Sequence, residues 1–318
     1  MAFALTQALS ILKFLSKEST AILERSSVMR KFALSEDLLD PVLKEINSLQ
    51  PGLLKYDAQS ISLKQTLDFL NADVIYKAVH GRGRVEVVDY IDSTNTCMLQ
   101  KAGNLTSGDV LLAECQGAGR GRRGGKWSSG LGSSLMLSMA WIFPKDYDLR
   151  GLSLAVGVAA SQALQKFSSA KLFVKWPNDL YVDDKKLGGI LIEAVQSEDK
   201  IVVIIGLGVN VSPHFAGDAN IKTYATLTSN PHKDLRNNVA IAVIDALRNC
   251  CNTFSKEGFK AFREELQFID HLRGKTITIS DEKHSISGEV QGVDEDGALL
   301  IKNNDGLIRA VAGHIEEM

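Results

Sequence analysis

Apolar residues near the N-terminus recur at helical spacing, with Ala8, Leu9, Ile11, Leu12 and Leu15 sharing one face. LSEDLLDPVLKEINSL predicts a second helix. Ser35 stands at its N-cap, and Glu36 and Asp37 in its first turn, where the helix dipole favours acids. Pro41 falls inside that pattern and is expected to shorten or kink the helix. A short extended stretch, LLKYDAQSISL, and another helical run to Ala78 follow. After HGRGR, which reads as a linker, the pattern changes to strands: VEVVDYI, DVLLAECQ and SSLMLSMAWIF, the last apolar enough to be buried. GLSLAVGVAASQALQKF predicts a core-facing helix, and KIVVIIGLGVNV a buried strand ending in a glycine turn. A long amphipathic helix is expected from Val239 to Leu266. Helices and strands without strict alternation indicate an α+β domain. From Leu272 the short strands KTITIS, HSISGEVQGV, GALLIKN and GLIRAVAG, separated by polar turns, suggest a small β-barrel of roughly 45 residues.

Length and composition narrow the class. A chain of 318 residues accommodates two or three domains and a sizeable core. A net charge of −2 and a pI near 6.3 argue against a protein that coats nucleic acid. The apolar N-terminal run is too short and too interrupted for a transmembrane helix, and it lacks the basic start and cleavage site of a secretory peptide. None of the four cysteines shows CxxC spacing, so reduced thiols and a cytoplasmic location are expected.

Against this neutral background, Gly119–Trp127 (GRGRRGGKW) stands out, with three arginines and a lysine threaded on four glycines. Glycine disfavours helix and unpaired charge resists burial, so a mobile cationic loop that orders around an anion is expected. Glycine lets backbone N–H groups approach a phosphate, and arginine presents a planar donor fork. The run formally matches GxGxxG, but no helix begins there as a dinucleotide fold requires. Lys126 is followed by Trp127 rather than Ser or Thr, which excludes a Walker A loop. RGG-type RNA-binding segments are longer and repeated. Further on stands KWPNDLYVDDKKLGGILIEA, Lys175 to Ala194. Taken alone, its Pro177-Asn178-Asp179 is a turn and its Lys185-Lys186 pair belongs to a hairpin. Likewise Ser93-Thr94-Asn95 alone is a helix cap or Asx turn.

In this order, the motifs resemble those of the biotin protein ligases, over residues of about 85 to 318. The resemblance implies a class II synthetase-like catalytic domain at 81–270, followed by an SH3-like β-barrel at 271–318. It also implies a winged-helix-like domain at 1–80, which the residues below make a degenerate one. By the same resemblance Ser93, Thr94, Asn95 and Gln116 hydrogen-bond biotin, whose ureido ring needs both donors and acceptors. Gly119, Arg120, Gly121 and Arg122 contact biotin and the phosphate of biotinyl-5′-adenylate, and Gly188 and Gly189 let the backbone pass close to biotin. Lys186, followed by Leu187-Gly188-Gly189 in family register, would neutralise charge on the α-phosphate and touch biotin. Arg122 and Asp179 join it as catalytic candidates, Asp179 to orient or deprotonate the incoming amine. The adenylate site would add Arg123, Lys126, Trp127, Asn178 and Asn210 to Arg120, Arg122 and Lys186. Trp127 would stack on adenine or anchor the loop's end. Gly125 departs from the family, whose members often carry another arginine there.

The resemblance further implies ATP and Mg²⁺ as co-substrates, no protein-bound metal, and a carboxylase's biotin carrier domain as acceptor. Homodimerisation is common among such proteins, and no membrane partner is expected. A lipoate-type protein ligase or a biotin-sensing repressor is the alternative. Repression needs DNA, and here the candidate recognition segment Ser35–Gln50 carries four acids against Lys44, a net −3. It also lacks a glycine-rich, basic wing between Leu54 and Leu63, so this domain is expected to bind DNA poorly or not at all.

Overall fold

The computed structural model describes residues 2–17, 22–64, 67–213, 224–280 and 285–317. At the N-terminus the order is α1 (Ala2–Lys17), β1 (Leu23–Glu24), α2 (Arg25–Phe32), α3 (Glu36–Leu49), β2 (Leu54–Tyr56) and β3 (Ser60–Leu63). The strands form an antiparallel sheet in the order β1-β3-β2. The apolar stripe on α1 is the buried one: Ala8, Leu9, Ile11 and Leu12 pack with Leu39, Leu43 and Ile46. That packing explains why Pro41 does not end α3, which continues to Leu49. An interior proline costs about 3 kcal/mol. Burying each large aliphatic side chain returns roughly 1.5–3 kcal/mol. Ser35 occupies the N-cap position of α3, but its side chain makes no capping bond. Helix α2 was not anticipated, because only Arg25 and Val28 of its eight residues are buried and no apolar period is visible.

Helix α4 (Ala72–Ala78), capped by Asn71, leads into a seven-stranded sheet. Its strands are β4 (Val85–Ile91), β5 (Val110–Gln116), β6 (Ser134–Pro144), β7 (Leu172–Lys175), β8 (Asp179–Val182), β9 (Lys185–Gln196) and β10 (Lys200–Asn210), in the order β4-β5-β6-β10-β9-β8-β7. Only β4 and β5 pair in parallel. One face is covered by α6 (Leu152–Gln165) and α7 (Leu235–Glu257), with Leu137, Met139, Val203, Ile205 and Leu207 in the shared core. On the other face the short helix α5 (Thr94–Gln100) lies over Ala140, Val202 and Ile204. Along β10 that same face continues as Gly206 and Gly208, and the surface opens. The helix expected from Val239 to Leu266 is broken at Gly258, whose φ of +64° favours glycine. A 3₁₀ turn then leads to α8 (Arg263–Ile269).

Strands β11 (Thr276–Ser280), β12 (Ser285–Val293), β13 (Leu299–Asn303), β14 (Gly306–Ala310) and β15 (His314–Glu317) form an antiparallel sheet ordered β14-β13-β12-β11-β15. Its interior residues Ile277, Val290, Leu299 and Ile301 join the central core. The Trp176 indole donates to the Gly297 carbonyl across this junction at 3.0 Å. No helix among the described residues is long and apolar enough to cross a membrane.

Candidate functional site

A cavity of about 450 Å³ opens where α5 ends its cover of the sheet. Its floor depends on the two glycines of β10. A Cβ on Gly206 would lie 2.4 Å from Asn95 Oδ1, and one on Gly208 would lie 2.4 Å from the Trp127 ring. Side chains there would displace the polar wall on one side and the indole on the other.

The polar wall starts at Ser93, which caps α5 by accepting from the Thr96 N–H at 3.4 Å. The cap and the cavity wall are thus the same residues. Thr94 donates its N–H to Gln116 Oε1 at the end of β5 at 2.8 Å, with its hydroxyl 3.1 Å from the same oxygen. Ser138 of β6, fully buried, donates its hydroxyl proton to Asn95 Oδ1 at 2.6 Å and lies 2.7 Å from Thr94 Oγ1. Asn95 Nδ2 donates to Glu193 Oε2 at 3.0 Å and to the Leu191 carbonyl at 3.2 Å.

Over this wall folds the cationic segment. It is a narrow hairpin rather than a structureless loop: Gly121 N–H reaches the Gly125 carbonyl at 2.7 Å, and Trp127 N–H the Gly119 carbonyl at 2.9 Å. At its tip Arg123 and Gly124 both have positive φ, 51° and 75°. Arg120 pairs with Glu193 at 2.6 Å, and Arg122 donates to Asn178 Oδ1 at 3.0 Å. Arg122 is surface-exposed but crowded by the cavity walls. That partial desolvation, with Arg123 beside it, lowers its pKa, and Asp179 opposes the shift. Arginine stays charged under such shifts.

The third wall comes from β8 and β9. Lys186 Nζ lies 2.8 Å from Asp179 Oδ1, across a bulge between Leu180 and Tyr181. Lys186 therefore sits in a strand, and the hairpin turn falls at Asp183, whose φ is +51°. Asn178 is held by Ile190, whose N–H and carbonyl both bond it at 2.8 Å. The Trp176–Pro177 peptide is cis.

Most expected residues meet in this one cavity: Ser93, Thr94, Asn95 and Gln116 in the polar wall; Arg120, Gly121, Arg122, Arg123, Lys126 and Trp127 from the loop; Asn178, Asp179, Lys186 and Gly189 opposite. Three lie outside its lining. Gly119 is beneath the Trp127 carbonyl, Gly188 is inside the β9–β10 ladder, and Asn210 closes β10 against Ser134. Ser138, Glu193, Lys175, Tyr181 and the C-terminal residues His314 and Ile315 were not anticipated. For Glu193 a signal existed, since it shares strand parity with Gly189 and Leu191. The C-terminal residues had none, because their sheet is remote in sequence.

Comparison with known proteins supports one family. Residues 87–210 match the biotin/lipoate A/B protein ligase family, and residues 273–315 match the biotin protein ligase C-terminal domain. "Bifunctional ligase/repressor BirA" of Escherichia coli is 36% identical over 255 residues, covering 79% of each chain. The chain belongs to the biotin protein ligase family. The BirA of Bacillus subtilis is 28% identical, over 72% of each chain. A solved structure of the Aquifex aeolicus biotin protein ligase in complex with biotin and ATP superposes with a TM-score of 0.64 at 29% identity, covering 74% of this chain and 98% of that one. The family's class II synthetase-like core and small C-terminal antiparallel sheet are both present here.

Proposed function

We propose that the protein joins biotin to AMP and then transfers biotin to a lysine of a carboxylase's biotin carrier domain. The observation that carries this reading is the Lys186–Asp179 pair at 2.8 Å, in the same cavity as the Thr94–Gln116 polar wall and the arginine hairpin. The polar wall binds the ureido ring, matching its donors and acceptors. Biotin's carboxylate attacks the α-phosphorus of ATP, and pyrophosphate leaves. The Lys186 ammonium and the Arg122 guanidinium stabilise the charge that develops on the phosphate oxygens. Mg²⁺, carried in with ATP, would supply counter-charge to its phosphates. Among the described residues no cluster of three His, Cys, Asp or Glu is placed to hold a metal. The hairpin then covers the mixed anhydride, with Gly119, Arg120, Gly121 and Arg123 around it, and excludes water. Trp127, Lys126 and Asn178 border the nucleotide, Gly188 and Gly189 keep the backbone close to biotin, and Asn210 supports the adenine side. The carrier lysine attacks the activated carbonyl, Asp179 orients its amine and takes its proton, and AMP departs.

Incubation with ATP, Mg²⁺, biotin and a carrier domain, followed by intact mass, tests this. A biotin-sized gain that needs ATP and is lost in Lys186→Ala is expected. A gain with lipoate instead of biotin would overturn it.

For the N-terminal unit, the order helix–strand–helix–helix–strand–strand supports a winged-helix domain at 1–80, as the SH3-like barrel reading is supported at 271–318. The domain is degenerate as a DNA binder. Helix α3 carries Glu36, Asp37, Asp40 and Glu45, and Arg25 is engaged by Asp40 at 2.6 Å. Its β2–β3 turn is Asp57-Ala58-Gln59, held by Asp57 Oδ1 accepting from the Gln59 and Ser60 N–H groups at 2.8 Å, and contains no basic residue. Salt-sensitive retention of a biotin-operon promoter by the adenylate-loaded protein would refute this. A cytoplasmic homodimer is part of the proposal, supported by four free cysteines and by the edge position of β4 in the sheet; light scattering checks the dimer.

A further inference from the structure

We infer that Glu193 is a positioning residue that couples the biotin pocket to the hairpin arginine Arg120; the inference rests on the ligase reading. One oxygen, Glu193 Oε2, accepts from both Arg120 Nη2 at 2.6 Å and Asn95 Nδ2 at 3.0 Å. The orientation of Asn95 follows from this. Its amide nitrogen faces a carboxylate and the Leu191 carbonyl, so its oxygen faces Ser138 at 2.6 Å. With the Ser138 proton on Asn95, the Thr94 hydroxyl donates to Ser138 Oγ at 2.7 Å, and the Thr94 backbone N–H donates to Gln116 Oε1 at 2.8 Å. Hydrogen bonds therefore run without a break from Gln116 at the pocket to Arg120 on the hairpin.

Arg120 has five N–H donors, and Glu193 engages Nη2, so the guanidinium is held in one orientation with donors left for a ligand. The pair is partly exposed, 41% at Arg120 and 26% at Glu193, so its contribution to folding stability is small. Its effect falls on geometry: without the carboxylate, Arg120 and Asn95 lose their common reference point. Gly206 makes the arrangement sterically feasible, since a Cβ there would collide with Asn95.

Steady-state kinetics on the full chain test this with Glu193→Gln, Glu193→Asp, Arg120→Ala and the Glu193→Gln/Arg120→Ala double variant. Glu193→Gln is expected to raise the KM for biotin about tenfold with kcat little changed, because an interaction with a charged partner is lost in ground state and transition state alike. Glu193→Asp restores most of the affinity. In the Arg120→Ala background, Glu193→Gln adds clearly less than it costs alone, since the Arg120 contact is already gone and only the Asn95 contact remains to lose. An unchanged KM in Glu193→Gln, or fully additive effects in the double variant, overturns the inference. Loss of affinity in step with a lowered melting temperature in both Glu193 variants also overturns it, by making the role structural. A wild-type chain that does not biotinylate would sink the ligase reading instead.

Discussion

Two ion pairs in this molecule have the same length and opposite settings. Lys186 and Asp179 meet at 2.8 Å with side chains 40% and 23% exposed; Arg236 and Glu114 meet at 2.8 Å with side chains 1% and 0% exposed. The buried pair is embedded in further bonds. Arg236 donates Nε to the Ser134 carbonyl at 3.0 Å and Nη1 to the Asp68 carbonyl, and Glu114 accepts from the Leu70 N–H. It fastens the segment after β3 to the sheet and to the start of α7. The exposed pair faces a cavity, where water and an incoming anion compete for the lysine. Distance alone therefore says little about role. Solvent access separates a charge pair that holds the fold from one that can exchange partners during a reaction.

That contrast can be broken by substitution. Lys186→Ala is expected to slow adenylate formation by about 10³-fold, as when one preorganised donor to a developing charge is removed. It should shift unfolding free energy by no more than about 0.5 kcal/mol. Pyrophosphate release and denaturant titration measure the two, and a large stability loss would erase the distinction. Glu114→Gln should do the reverse, lowering stability by about 3–5 kcal/mol because a buried guanidinium loses its counter-charge. Biotinylation by its folded fraction should persist.

Gly206→Ala asks whether shape matters beside charge. The new methyl would press on Asn95, and a KM for biotin raised by about tenfold is expected, since sub-ångström displacement of a binding group is costly. An unchanged KM would show that the wall yields.

The smallest effect concerns an intermediate pair. Asp109 is buried while its partner Arg84 is 71% exposed. Burial pushes the Asp109 carboxyl upward, but hydrogen bonds from Arg84 and Thr106 outweigh it and hold the pKa at about 2, against an ordinary 3.8. A depressed pKa contributes stability above the unfolded value that is lost as pH falls through the folded one. Asp109→Asn should thus destabilise at pH 7, with the difference fading between 3.8 and about 2. A difference independent of pH would refute the assignment.

Much of the site was legible because its residues lie in contiguous motifs: the GRGRRGGKW run, Ser-Thr-Asn, KWPND and KKLGG each keep their members within one turn or strand. Ser138 escaped because a lone polar residue on an apolar strand has no local signature, whereas Glu193 was missed although its strand parity with Gly189 and Leu191 marked it. Helix α2 escaped because a helix that buries only two side chains shows no period. The break at Gly258 was overlooked because a single glycine inside a helical pattern is often tolerated.

Amphipathic period, strand alternation and charged motifs follow from bonds between near neighbours, so the linear chain specified the α+β class and the cationic segment, whereas Lys186 was singled out from Lys185 by family resemblance alone. Pairing across the sheet is another matter. The seven-strand order brings β9 beside β10 and β8, and so sets Lys186 against Asp179 and Glu193 against Asn95 and Arg120. Packing chose which side of β10 received α5 and which was left open over Gly206 and Gly208. Contacts between residues some 70 to 100 positions apart depend on the energy of the whole core, which no local pattern encodes.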